Sequence, residues 1–131
     1  MRLNLDCIRS TMLAIENFSF GEECRMNELM EKPELAGFEE EDVQYTCLKL
    51  LEAGYIEGKT IQVLRAPESI AWVSDLTFQG HEFLNTIRSD SNWGKVKSTA
   101  KLAGVSSMKG VLEIAKQVAA AAITAALQQN L

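Results

Sequence analysis

The run Leu48-Lys49-Leu50-Leu51-Glu52-Ala53-Gly54-Tyr55-Ile56-Glu57 constrains what this chain can fold into more than any other stretch. A helix with apolar residues along one side has to stop at Ala53 and Gly54. Glycine takes the left-handed closing conformation without the steric penalty that a Cβ brings. Tyr55 and Ile56 then read as extended, so a helix turns directly into a strand. Further on, Leu76-Thr77-Phe78-Gln79-Gly80-His81-Glu82-Phe83-Leu84 marks the start of another helix, with Thr77 placed to cap it.

The segments around this run complete the pattern. Leu5, Ile8, Met12 and Ile15 recur at helical spacing, Phe18 closes the stripe, Asn4 stands at the N-cap position and Asp6 lies in the first turn. Met26, Leu29 and Met30 predict a short helix that ends before Pro33. The helix from about Glu40 to Ala53 buries Val43, Cys47, Leu50 and Leu51 in this reading and turns Glu41, Asp42, Gln44, Tyr45, Lys49 and Glu52 outward or to the edge. Between Tyr55 and Leu76, two β-branched runs flank the turn Ala66-Pro67-Glu68-Ser69 and predict a hairpin. Phe78, Phe83, Leu84 and Ile87 are expected to pack inward from the next helix. Ser89-Asp90-Ser91-Asn92 reads as a loop, Trp93 as an apolar anchor, and the following helical stretch closes at Gly104.

The last helix, from Ser106 or Ser107 to Gln129, has the length of about 24 residues or about 36 Å at helical rise, more than one small core covers. Ala115, Ala119, Ala122 and Ala126 line one side, beside Leu112 and Ile123, and these six residues form the expected oligomer or partner interface. The apolar stretch Val118 to Leu127 is shorter than the roughly 20 residues a membrane span needs, so no membrane association is expected.

Charge and cysteine usage narrow the class. Residues 1–87 hold 7 Lys or Arg against 16 Asp or Glu, a balance of −9, whereas residues 88–131 hold 6 against 2, a balance of +4. Such polarity implies either a basic tail that meets an acidic partner or phosphate, or a tail that folds back on the acidic part. Cys7, Cys24 and Cys47 are odd in number and form no C-x-x-C pair, which fits reduced thiols in a cytoplasmic protein. The first residues lack the long apolar run and cleavage site of a signal peptide.

Two resemblances follow from the quoted motifs. The Leu-Leu-x-Ala-Gly-Tyr-Ile turn, the hairpin and Leu-Thr-x-x-Gly-x-x-Phe-Leu resemble winged-helix transcription regulators over about residues 5–87. The segments Glu41-Asp42-Val43-Gln44-Tyr45, Gly80 to Arg88 and Trp93-Gly94-Lys95-Val96-Lys97 resemble an uncharacterised family of small bacterial and prophage proteins, up to about Ala115. That family implies a winged-helix core and brings no activity with it. It also leads one to expect a histidine immediately before Cys47, where this chain has Thr46. The expected fold is therefore α+β and mainly helical. It has a winged-helix domain of three helices plus a β-hairpin wing at residues 1–88, and a helical extension with a long Ala-rich terminal helix at 89–131.

The leading functional expectation is a non-enzymatic, DNA-associated regulator-type protein, oligomeric through the last helix. Winged helices place the helix before the hairpin in the major groove, so Gln44, Tyr45 and Lys49 would face bases, with Lys59 and Arg65 on the wing near phosphate. Lys95, Lys97 and Lys101 would add affinity from the tail. Glu39, Glu40, Glu41 and Asp42 oppose this reading, because they bring four negative charges toward a polyanion. The alternative is a protein-interaction module that uses the acidic helix face or the C-terminal helix. His81, the single histidine, has no H-E-x-x-H partner at helical spacing and reads as a surface or capping residue. No catalytic residue, metal site or cofactor is expected: the glycines are scattered, and three cysteines with one histidine lack ligand spacing.

Overall fold

The first helix forms as its cap predicts. In the computed structural model, which describes residues 1–130, the Asn4 side chain accepts the Cys7 backbone N–H at 3.1 Å, and helix α1 runs Leu5–Glu16. Its buried side carries Cys7, Ile8, Thr11, Met12 and Ile15. A loop then brings Cys24 beside Val73, where the two backbones exchange hydrogen bonds of 2.8 Å each way. Helix α2, Met26–Leu29, and a 3-10 turn, Pro33–Leu35, lead to helix α3, Glu40–Glu52.

The end of α3 shows why Gly54 matters. Its φ of +80° lets the chain turn at once, so that the Tyr55 N–H reaches back to the Leu50 carbonyl at 2.9 Å while Ile56 already begins strand β1, Ile56–Ile61. Strand β2, Ser69–Leu76, pairs antiparallel with β1 from Ile56 opposite Leu76 to Ile61 opposite Ser69. The six residues of β1 face eight of β2, and the register slips twice, between Glu57 and Gly58 and between Lys59 and Thr60. Val73, fully buried, therefore sits between β1 on one side and the Cys24 bridge on the other. The sequence pattern carries no signal for that bridge, since a single paired residue has no periodicity.

Thr77 joins the hairpin to helix α4, Phe78–Ile87. Its hydroxyl donates to the Gly54 carbonyl at 2.6 Å and accepts the Gly80 N–H at 3.0 Å. A Cβ on Gly80 would fall inside contact distance of the Tyr55 carbonyl, so only glycine permits this approach of α4 to the turn. Helices α5, Asp90–Ala103, and α6, Met108–Gln129, follow and pack on each other.

The fold is α+β and mainly helical, with six α-helices and one antiparallel hairpin among the described residues. The chain divides into two units, Met1–His81 and Glu82–Leu131. In the first, α1 packs on α3, on the 3-10 turn and on β2, and α3 packs on both strands. Val43, Cys47, Leu50, Ile56 and Val73 are all at most 2% exposed there. In the second, Trp93, Val96 and Ala100 of α5 and Val111 and Ala115 of α6 are buried.

Three expectations need correction. Phe78 does not pack inward: it is 79% exposed. Helical periodicity puts it with exposed His81, Glu82 and Asn85, opposite Phe83, Leu84 and Ile87. Ser89-Asp90-Ser91-Asn92 is a helix start instead of a loop; the Ser89 hydroxyl accepts the Asn92 N–H at 3.1 Å and Asp90 favours the helix dipole. Leu51 is half-buried at the edge of α3, while Thr46 takes the buried place beside Cys47. By length and composition alone α6 passes for a membrane-crossing helix, as an apolar helix of its length does wherever it lies.

Candidate docking surfaces

Within the first unit, α3 and the hairpin enclose an open groove of about 460 Å³, and its composition follows from helical spacing. Tyr45, Leu48 and Glu52 succeed one another at i, i+3 and i+7 along α3, with Lys49 and Leu51 beside them, and Thr60 and Glu68 complete the groove from the hairpin. The floor is therefore aromatic and aliphatic, and the rim carries carboxylates.

The three residues of α3 expected to read bases are all half-buried. The Gln44 side-chain nitrogen is buried and lacks a hydrogen-bond partner, and Gln44 is not among the residues that line the groove. The Tyr45 hydroxyl donates to the Met1 carbonyl at 3.2 Å. Lys49 pairs with Glu52 at 3.0 Å and lies 5.6 Å from the Tyr45 ring centre; that carboxylate raises the Lys49 pKa and holds its charge in place. The exposed first turn of α3 adds Glu40 and Glu41, preceded by Glu39.

On the hairpin, Lys59 sits 5.6 Å from the Trp72 ring centre, and its stem covers the half-buried indole. Arg65 lies at the exposed tip with a φ of +66°. Its neighbours Val63 and Leu64 are exposed as well, because β1 ends at Ile61 and leaves the tip beyond the paired strands. The apolar tip is a feature that sequence reasoning missed by assigning those residues to the strand.

In the second unit, Lys95 and Lys101 are exposed on α5, and Lys97 lies 5.8 Å from the Trp93 ring centre. Of the six residues expected to form an interface on α6, Ala115 is fully buried, Leu112, Ala119 and Ala122 are half-buried, and Ile123 and Ala126 are exposed. Ala115 is therefore unavailable to a partner. Leu127, absent from the expected set, is as exposed as Ile123, at 63% against 61%.

The thiols and the histidine complete the inventory. Cys7, Cys24 and Cys47 are free and buried. Burial pushes up the thiol pKa of each, Cys24 to about 11, while hydroxyls of Thr46 and Thr11 beside Cys7 partly offset its rise. His81 is exposed on α4. Among the described residues, no group of three or more His, Cys, Asp or Glu is placed to hold a metal ion.

With this geometry in view, comparison with known proteins places the chain. The pattern of the family described as hypothetical protein (DUF2513) matches residues 2–106. An uncharacterised protein of Haemophilus influenzae (strain ATCC 51907 / DSM 11121 / KW20 / Rd) is 38% identical over 119 residues, covering 91% of this chain and 92% of that one. The chain belongs to the DUF2513 family. No solved structure matches it. The DUF2513 match contains all of α1 to α5, the hairpin and the groove, and ends before α6 begins. Thr46, which stands where the sequence resemblance leads one to expect a histidine, is 1% exposed and lies beside Cys7, so this position in the DUF2513 chain belongs to the core of the first unit.

Proposed function

We propose that this DUF2513 protein is a non-catalytic winged-helix protein of the cytoplasm that works by docking a protein segment in the groove between α3 and the hairpin. The winged-helix assignment is supported by the order of parts: α1, the Cys24 bridge, α2, α3, then a hairpin whose inner strand pairs on both edges. A non-catalytic role is supported by the burial of every thiol and the isolated surface position of His81. Fold alone would point to DNA, but it is an associational warrant.

One observation carries the docking reading: the groove is floored by Tyr45, Leu48 and Leu51, rimmed by Glu52 and Glu68, and its single lysine is already matched by Glu52. Duplex DNA presents about one negative charge per 1.7 Å of its axis, so a groove whose one lysine is paired and whose remaining charge is the Glu68 carboxylate disfavours it. A protein segment that offers an apolar side chain between lysines or arginines meets both the floor and the rim. The test is a titration followed by amide NMR, using a helical peptide with two central leucines flanked by lysines and a control flanked by glutamates. Shifts at Leu48, Leu51 and Thr60 with the first peptide alone are expected. Equal response to both peptides, or none to either, sinks the reading.

A DNA-associated regulator is the second reading, supported by the excess of basic residues after Ile87 and the exposure of Lys95 and Lys101. It predicts duplex binding that needs the lysines of α5 and weakens with salt, without reading sequence. Fluorescence anisotropy with mixed-sequence duplex across a salt series separates the two. Self-association through α6 is compatible with either reading, and the exposure of Ile123 and Leu127 supports it.

A further inference from the structure

The groove calls for an apolar side chain set among positive charges, and the same chain carries one. On α5, Leu102 is 90% exposed although it is among the larger aliphatic residues of its unit. Lys95, Thr99 and Leu102 follow one another at i, i+4 and i+7 along an exposed stripe whose first two residues border an open cleft against α6, lined there by Ile114, Val118 and Ala122, and exposed Lys101 is the chain neighbour of Leu102. Helix α5 thus holds a leucine and two lysines outward on a rigid frame, at little entropic cost to a docking event.

The charges of the two parts of the chain match in the same sense. Residues 1–87 carry 16 acidic against 7 basic side chains, and residues 88–131 carry 6 basic against 2 acidic. Opposed surfaces of this kind guide an encounter and disfavour the pairing of like with like.

We propose that the α3–hairpin groove of one copy takes the Lys95–Leu102 stripe of α5 from a second copy, with Leu102 seated among Tyr45, Leu48 and Leu51 and Lys101 facing Glu68, Glu52 being held by Lys49. The assignment rests on reading the groove as a protein-docking site and names its occupant. Each copy offers one groove and one stripe, so the contact exchanged in both directions fills both grooves.

Analytical ultracentrifugation of the full chain, over a concentration series at low and high salt, tests this. The expected result is a dimer that loosens with salt. Lys101→Glu and Glu68→Lys are each expected to weaken it by about tenfold or more, which is about 1.4 kcal/mol per tenfold. Combining the two substitutions in one chain restores the opposite charges and is expected to recover most of the loss. Leu102→Glu removes the dimer without unfolding the chain, because the side chain it replaces is already in water; circular dichroism checks this. A wild-type chain that stays monomeric overturns the proposal. So does a dimer indifferent to Lys101→Glu and Leu102→Glu, or one lost only on Ile123→Glu, which assigns the contact to α6. If the chain stays monomeric while the lysine-flanked peptide still shifts the groove, self-docking falls and the docking reading stands. If that peptide also fails, both fall.

Discussion

Helices α3 and α6 each carry an apolar stripe and meet different fates. Over 13 residues α3 buries Val43, Thr46, Cys47 and Leu50, with α1 and both hairpin strands packed around it. Over 22 residues α6 buries only Val111 and Ala115, both in its first half, and leaves Ile123 and Leu127 more than 60% exposed. Length explains the contrast. α5, the neighbour of α6 within its unit, has 14 residues or about 21 Å, and the 22 residues of α6 span about 33 Å. An apolar stripe is covered only as far as its partner reaches, so the same kind of residue stabilises the core in one helix and stays in water in the other.

The sharpest way to break this comparison is a pair of truncations. Leu50→Ala is expected to cost about 2–5 kcal/mol in urea-unfolding free energy, because it removes a fully buried side chain and leaves a cavity. Ile123→Ala, measured on monomeric chain, is expected to stay within about 0.5 kcal/mol, as surface changes do. Equal losses from the two would show that α6 is covered after all.

Gly80→Ala comes next. The new methyl would press on the Tyr55 carbonyl, and a loss of about 1–3 kcal/mol in thermal or urea unfolding is expected as α4 is pushed off the turn. A neutral outcome would mean that the junction between the hairpin and α4 gives way easily. Gln44→Met should act in the opposite direction. It replaces a buried amide nitrogen that has no partner, so a gain of about 1 kcal/mol is expected. A loss would show that the amide holds a partner in solution.

The last effect is expected with pH. The Cys24 thiol, ordinarily at 9.0, is pushed up to about 11 by burial. Its proton is therefore held more tightly in the folded chain than in the unfolded one. Its contribution is complete below pH 9 and is lost as pH rises from about 9 toward 11, through preferential ionisation of the unfolded thiol. Unfolding free energy should decline over that window, and Cys24→Ala should flatten the slope. An unchanged slope would assign the decline to other groups.

Much of the first unit was legible in the sequence because its signals are local. Asn4 and Thr77 cap helices through bonds to residues three positions on, and Gly54 closes α3 through its own backbone conformation. The charge polarity between residues 1–87 and 88–131 also needed nothing beyond counting. The candidate site was legible only in part. The helix that lines the groove was identified, with Lys49 and Gln44 outward or at the edge, and both are half-buried; that the Gln44 amide nitrogen itself is buried was not foreseen. Amphipathic spacing sets which face a residue starts from, and the final direction of a long side chain depends on what packs against it.

The sequence by itself determined where α1, α3 and α4 begin, where α3 ends, how the hairpin follows it, and which part of the chain carries which charge, since capping, φ preference and net charge belong to individual residues. Only the tertiary structure decided that Cys24 pairs with Val73, that Phe78 and Leu102 face water, that Lys49 is matched by Glu52, and that the apolar side of α6 outruns its neighbour. Those outcomes depend on which surfaces meet and over what length, and packing between elements settles that.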